Sequence, residues 1–262
     1  MRTHSLHALS WRQNVNLVRV LARRDLRAML SRTLLGYAWT LALPLTYVMV
    51  FSFYRLIFGI SLGSGVPYVP FTFGGIMLWM LFSSIVAGSY QSIASNASVL
   101  KKMDTPREVF FATAFVVPSI NFGVSLVFFL LICAFFGVFG WGILWLPVAL
   151  ALVYLLAAGI GMLTVAVGVY RHDVVVAVPI VLQVWMLMTP IFYPVELIPE
   201  SVRWLVYLNP MAGIVATFRE PFFLGTPVSL AILLPTALGT FLVAAIGYYL
   251  FRRTGRYLAD IM

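Results

Sequence analysis

Apolar runs of span length alternate with short polar stretches along nearly the whole chain. Leu34–Phe58, Phe71–Ile93, Val109–Phe136, Leu146–Val169 and Val228–Phe251 are each long enough to cross a hydrocarbon core as helices. A further run begins at Val174 and then breaks in Thr189-Pro190-Ile191-Phe192-Tyr193-Pro194, where Pro190 and Pro194 each remove a main-chain N–H. Glu196, Glu200 and Arg203 follow, then Leu208-Asn209-Pro210 and the pair Arg219-Glu220. A helix facing lipid does not break in this way, because each unpaired main-chain group in hydrocarbon costs several kcal/mol. Residues 174–193 therefore read as a span that ends early, followed by short re-entrant or outer gate helices at the mouth of a conduit. The alternative is a plain extracytoplasmic loop carrying two interfacial helices.

The expected fold is an all-α polytopic membrane protein with six transmembrane helices. Residues 1–33 form a cytoplasmic tail and interface helix, and residues 34–262 a single transmembrane domain. Within the first part, Gln13–Arg32 places Val15, Val18, Leu21, Ala22, Leu26 and Met29 on one side at helical spacing, and Arg19, Arg23, Arg24 and Arg27 on the other. Such a basic amphipathic helix belongs in the headgroup plane. Asp25 falls near its apolar side and needs a partner, either a neighbouring arginine or the next subunit. Pro44 predicts a kink in the first span, Pro118 and Asn121 an interruption of the third. Arg55 is expected to snorkel or pair at the outer end of the first span. Ser83-Ser84 through Ser92, with Gln91, mark the later half of the second span as packed or water-facing. The polar stretch 94–108 is long enough for one short helix and holds both lysines of the protein.

Composition agrees. Of 262 residues 62% are hydrophobic and 10% charged, and mean hydropathy is +1.01, which excludes an ordinary soluble domain. The net charge of +9 does not point to nucleic acid, because the basic residues sit beside apolar runs and set topology instead. With both termini cytoplasmic, fourteen of the seventeen Lys and Arg residues lie inside and only Arg55, Arg203 and Arg219 outside. The first long apolar run begins near Leu34, too late for a secretory leader. The single cysteine, Cys133, lies mid-span and reads as a small core residue.

Catalytic chemistry finds little support. No phosphate-binding glycine loop precedes Lys101-Lys102, the three histidines (His4, His7, His172) are scattered, and all eight acids sit at or near span ends. Neither a metal site nor a proton-coupled carrier is expected. Uphill transport would draw its energy from another chain, entering at the amphipathic helix or the 94–108 stretch. Aromatic residues make up 15% of the chain. Trp185, Tyr193, Trp204 and Tyr207 are candidates for a path along which sugar rings slide; ordinary lipid-facing or core packing is the competing account.

Arg24-Asp25-Leu26, Thr33-Leu34-Leu35-Gly36-Tyr37-Ala38-Trp39 and Pro44 resemble the start of the membrane subunits of ABC-2 type exporters of O-antigen, capsule and teichoic-acid polymers. The stretch Asn96…Val99-Leu100-Lys101-Lys102…Thr105-Pro106-Arg107-Glu108-Val109 is similar to that family's inner loop, although an aromatic residue more often stands where Thr105 does. Tyr170-Arg171-His172-Asp173, Gln183, the 189–194 break, Leu208-Asn209-Pro210-Met211 and Phe218-Arg219 extend the resemblance over nearly the whole chain.

The resemblance implies a homodimer in the inner membrane working with two copies of a separate ATP-binding subunit. That subunit would bind ATP and Mg, and this chain itself would bind no cofactor. It implies that the ATPase stroke arrives at the amphipathic helix and the inner loop, that residues 194–223 form outer gate helices, and that the cargo is a lipid-linked polysaccharide. We expect Lys101, Lys102, Arg107 and Glu108 to dock or couple to the ATPase. Arg23 and Arg27 are expected to hold anionic headgroups, or the pyrophosphate of the cargo. Two rivals stand beside this reading. One is an ABC-2 relative exporting drugs or lipids; the other is a membrane enzyme acting on a lipid-linked sugar.

Overall fold

The computed structural model describes residues 11–31, 37–59, 65–97, 99 and 106–261. Among them the regular structure is entirely helical. The basic amphipathic stretch forms α1 (Trp11–Ser31). The long apolar runs form α2 (Ala38–Phe58), α3 (Tyr68–Ala94), α4 (Arg107–Phe135), α5 (Leu146–Gly168) and, at the end of the chain, α9 (Leu230–Ile261). These five are long and apolar enough to cross a membrane, α5 together with the 3₁₀ turn Trp141–Trp145 that leads into it. Between α5 and α9 lie the shorter apolar α6 (His172–Met188), then α7 (Glu200–Tyr207) and α8 (Pro210–Arg219), with a π-helical turn over Glu220–Leu224.

Local chemistry sets several of these bounds. Gly59 ends α2 in the left-handed conformation with φ 62°, where a side chain would be strained. Asn209 opens α8 by accepting a hydrogen bond from the N–H of Met211, and Pro210 occupies the first helical position, where its missing N–H costs nothing. Glu108 sits in the first turn of α4, facing the positive end of the helix dipole.

One proline behaves differently from the sequence expectation. α4 runs from Arg107 to Phe135 without the interruption expected at Pro118 and Asn121, while α2 contains Pro44 within a continuous helix. Side chains support α4 at its proline. The Ser119 hydroxyl donates to the carbonyl of Phe115 at 2.6 Å and lies 2.8 Å from the Tyr154 hydroxyl on α5, while Asn121 accepts from Thr40 on α2 at 3.3 Å. In lipid such contacts keep a proline-containing helix intact.

α3 is the axis of the bundle. It packs against α4 and α5, and α5 packs most extensively against α9. Of its most apolar window 78% is buried inside the protein, against 17% for α4 and for α9. Phe73, Ile76, Leu78, Phe82 and Ile85 on α3 have no exposure. Since lipid tails are as apolar as leucine, close backbone approach must hold such a bundle together. It is visible where α5 crosses α9: a Cβ on Gly247 would lie 2.2 Å from the carbonyl oxygen of Gly159, and one on Gly159 would lie 2.7 Å from the Cα of Ala244.

Candidate functional site

The break after α6 is closed by side chains from α3 and from the two ends of α8. α6 ends at Met188, and Thr189 caps it by donating from both its N–H and its hydroxyl to the carbonyl of Trp185. Pro190 then prevents the helix from continuing. Residues 189–192 are buried, so the carbonyls of Pro190 and Ile191 need partners inside the protein. Arg219, at the end of α8 and 6% exposed, supplies them. Its guanidinium donates to the Ile191 carbonyl at 2.9 Å and to the Pro190 carbonyl, and it lies 3.9 Å over the ring of Phe71 on α3. The Tyr68 hydroxyl donates to the next carbonyl, Phe192, at 2.8 Å. α3 makes room with Gly75, where a Cβ would come within 3.2 Å of Ile191 and 3.6 Å of the arginine. Carbonyl dipoles and an aromatic face on one guanidinium make its burial tolerable.

The sequence counts Arg219 among three basic residues on the outer side and does not disclose this role. The available signal was an arginine six residues before Gly225, in a segment rich in Phe and Pro. A buried cation in such a place needs carbonyl partners, and the proline break leaves some over.

Asn209 makes the second closure. Its side-chain oxygen accepts from the Trp185 indole N–H at 2.9 Å and from the Met211 N–H at 3.0 Å, and its amide donates to the Thr189 hydroxyl at 2.9 Å. Trp185 packs edge-on against Trp79 and Phe82 of α3, with ring centroids 5.9 and 5.3 Å away. It is thus anchored on α3 and bonded to the α8 cap. Tyr193 is half-buried and its hydroxyl donates to the Leu187 carbonyl at 3.3 Å, while Trp204 on α7 is 57% exposed. Tyr207 ends α7, and its side chain lies outside the described residues. Of the sequence-predicted aromatics, Trp185 and Tyr193 are thus half-buried and Trp204 exposed.

A different set of residues forms a groove. Although most of α3 is covered, Ser84, Ala87 and Gln91 are exposed and Met80 half-exposed, a single helical face at intervals of three and four residues. A cavity of about 250 Å³ runs beside this face, lined by Met80, Ser83, Ser84 and Ala87 of α3, with Tyr47 of α2 and Gln183 of α6 across it. A neighbouring cavity of about 190 Å³ shares Leu43, Met80 and Ser84 and extends to Asn121 and Ser125 on α4. Serine, amide and phenol groups in a helical membrane core are expensive facing lipid and cheap facing water.

At the far end of α3 the amphipathic helix is latched on. Arg24 donates to the side-chain oxygen of the buried Asn96 at 3.1 Å and pairs with Asp25 at 2.9 Å, which gives the acid on α1 the arginine partner it needed. Asn96 in turn donates to the carbonyl of Ser92 at 2.8 Å. Leu21 and Ala22 are buried, and α1 packs on α4. Arg23 and Arg27 are exposed, and Arg107 and Glu108 half-exposed. Glu108 and Arg23 line one cavity between α1 and α4, so two of the expected site groups come together there. Lys101 and Lys102 lie outside the described residues.

Long apolar helices with a closed helix break and a polar groove define a polytopic helical membrane protein. The chain belongs to the ABC-2 type transporter family, whose model matches residues 16–223. It is 26% identical to an O-antigen export system permease protein, RfbA, of Klebsiella pneumoniae, over 80% of this chain and 82% of that one. Identity to the RfbA of Myxococcus xanthus is 28%, over 78% of each chain. The polysialic acid transport protein KpsM of Escherichia coli is 25% identical over 82% of this chain and 86% of its own.

Proposed function

We propose that this chain is the channel-forming transmembrane subunit of an ATP-driven ABC transporter that exports a lipid-linked, O-antigen-like polysaccharide across the inner membrane. The observation that carries the reading is the open polar face of α3. A helix so thoroughly buried elsewhere leaves one stripe of small and polar side chains uncovered, opposite Tyr47 and Gln183. Serine and amide groups satisfy passing hydroxyls, and a tyrosine ring offers a flat face on which a sugar slides without being held.

The working unit is a homodimer, with the two grooves facing one another around a shared path. α6 serves as the shortened fifth of six spans, and α7 and α8 stand as outer gate helices between it and the sixth. Both termini lie on the cytoplasmic side, as the distribution of basic residues favours. Two copies of a separate ATP-binding subunit hold ATP and Mg and meet the chain at Lys101, Lys102, Arg107 and Glu108, and this chain does no catalysis. Arg23 and Arg27, exposed on α1, contact anionic headgroups or the pyrophosphate of the cargo. Trp185 and Tyr193 shape the path by fixing the end of α6, and Trp204 and Tyr207 stand near its mouth.

Depletion of the chain in its native host, with fractionation of lipid-linked polysaccharide, tests this reading. Finished polymer should accumulate on the cytoplasmic side while the surface loses it. Unchanged surface polymer with altered sensitivity to hydrophobic drugs would instead mark a small-molecule exporter. Turnover of a lipid-linked sugar by the purified chain without ATP would mark an enzyme.

A further inference from the structure

The cavity between α1 and α4, about 570 Å³ in volume, is unlike the groove on α3. Its walls are almost wholly aliphatic: Val18, Ala22 and Leu26 from α1, and Ala112, Val116 and Ile120 from α4. The α4 side of it runs from Glu108 to Ile120, which is ~18 Å at 1.5 Å per residue. That is close to the depth of one leaflet, about half of a ~30 Å hydrocarbon core. Arg19 and Arg23 line the same cavity from α1, with Glu108 as the one acid. Among the described residues neither arginine forms an ion pair, with Glu108 or with any other acid. Two cations against one carboxylate leave the site net positive.

We propose that this groove is a binding site for one anionic glycerophospholipid, with an acyl chain lying along Ala112, Val116 and Ile120 and the phosphate held by Arg19 and Arg23. The occupant follows from the combination. An aliphatic slot of leaflet depth takes an acyl chain, which has the volume to fill it. Two arginines on the interfacial helix α1 that pair with no acid among the described residues select a headgroup of net negative charge over a zwitterionic one. A bound lipid would then wedge α1 against α4, so that the position of α1 depends on lipid composition. The site deepens the headgroup role given to Arg23 but rests on neither cargo nor export, and its test involves no transport.

The experiment is native mass spectrometry of the purified full-length chain with an equimolar mixture of phosphatidylglycerol and phosphatidylcholine bearing identical acyl chains. Phosphatidylglycerol should be retained about tenfold over phosphatidylcholine, as the attraction of an arginine pair predicts. Exchanging both arginines (Arg19→Gln with Arg23→Gln) should bring the ratio close to one. Ala112→Phe, which fills the slot, should displace lipids of both kinds. Equal retention of the two lipids by the native chain overturns the proposal, as does a preference that survives the double arginine exchange. In a second mixture with an added polyprenyl pyrophosphate, its retention over phosphatidylglycerol also overturns the proposal and assigns the groove to that lipid. The arginine exchange concerns exposed side chains, so the test stands even if Ala112→Phe fails to fold.

Discussion

The guanidinium of Arg219 and the main-chain carbonyl of Ile191 lie 2.9 Å apart, tying the end of α8 to the break after α6 across 28 residues. The bond explains how a helix can stop inside a membrane protein at a proline without leaving bare carbonyls in an apolar core. Removal of the arginine should therefore be costly in a specific way. Arg219→Ala leaves the Pro190 and Ile191 carbonyls unsatisfied, at about 1–3 kcal/mol each. Arg219→Lys keeps the charge but loses the fork that reaches both carbonyls, so it should fall between wild type and alanine. Thermal unfolding in one detergent measures the order; a lysine variant as weak as alanine would mean that charge alone is irrelevant there.

Asn209 presents a graded case. Asn209→Asp preserves the acceptor for the Met211 N–H and the Trp185 indole but loses the donor to Thr189. Asn209→Ala loses all three, including a cap worth ~1 kcal/mol. The alanine variant should melt well below the aspartate one, and Trp185 fluorescence should shift in the alanine variant alone. Equal melting of the two would show that the cap and the indole bond contribute little.

Glycines separate contact from mere helix propensity. A methyl group at Gly247 meets the Gly159 carbonyl, so Gly247→Ala should destabilise by about 1–3 kcal/mol as α5 and α9 are pushed apart. Gly123 on α4 is exposed with open space around its Cβ position, and Gly123→Ala should be neutral or stabilising by up to ~1 kcal/mol. Comparable losses at the two sites would contradict the close α5–α9 crossing.

Water access to α3 can be read with cysteines, since the only native one, Cys133, is buried with no exposure. In the assembled transporter in membranes, Ser84→Cys and Gln91→Cys should react with a charged, membrane-impermeant thiol reagent. Val127→Cys, at a 61% exposed position in the apolar middle of α4, should not. Labelling of Val127→Cys at the same rate would remove the case for a hydrated groove on α3.

The contact of Arg24 with Asn96 joins α1 to the bundle's central helix. Asn96→Ala deletes a hydrogen bond to a charged group, worth about 1.5–3 kcal/mol. If ATPase motion enters through α1, the variant transporter should keep hydrolysing ATP while its export falls several-fold. Export and hydrolysis falling in proportion would indicate an assembly defect in place of lost coupling.

Membrane class, the long apolar helices, the amphipathic α1 with its buried Leu21 and Ala22, and the position of the break at Thr189-Pro190 are legible in the amino-acid order alone. Those features are local. Span length, helical periodicity and a missing proline N–H act within a few residues, so they can be read without knowing what lies alongside. The remaining features arise only from packing. Pro118 looks like an interruption in sequence, yet α4 passes through it, braced by Ser119 against Tyr154 and by Asn121 against Thr40. The sequence shows Arg219 as a charge between two spans but not its burial, which follows because two carbonyls and the face of Phe71 converge on it. The sequence names Trp185 as an aromatic but not its partners: its indole N–H goes to Asn209 and its ring packs on Trp79 and Phe82. In a chain where nearly every segment is apolar, hydropathy carries no information about which face meets lipid, protein or water. That choice depends on backbone approach at small residues and on where leftover polar groups find partners, and those partners are separated by tens of residues along the chain.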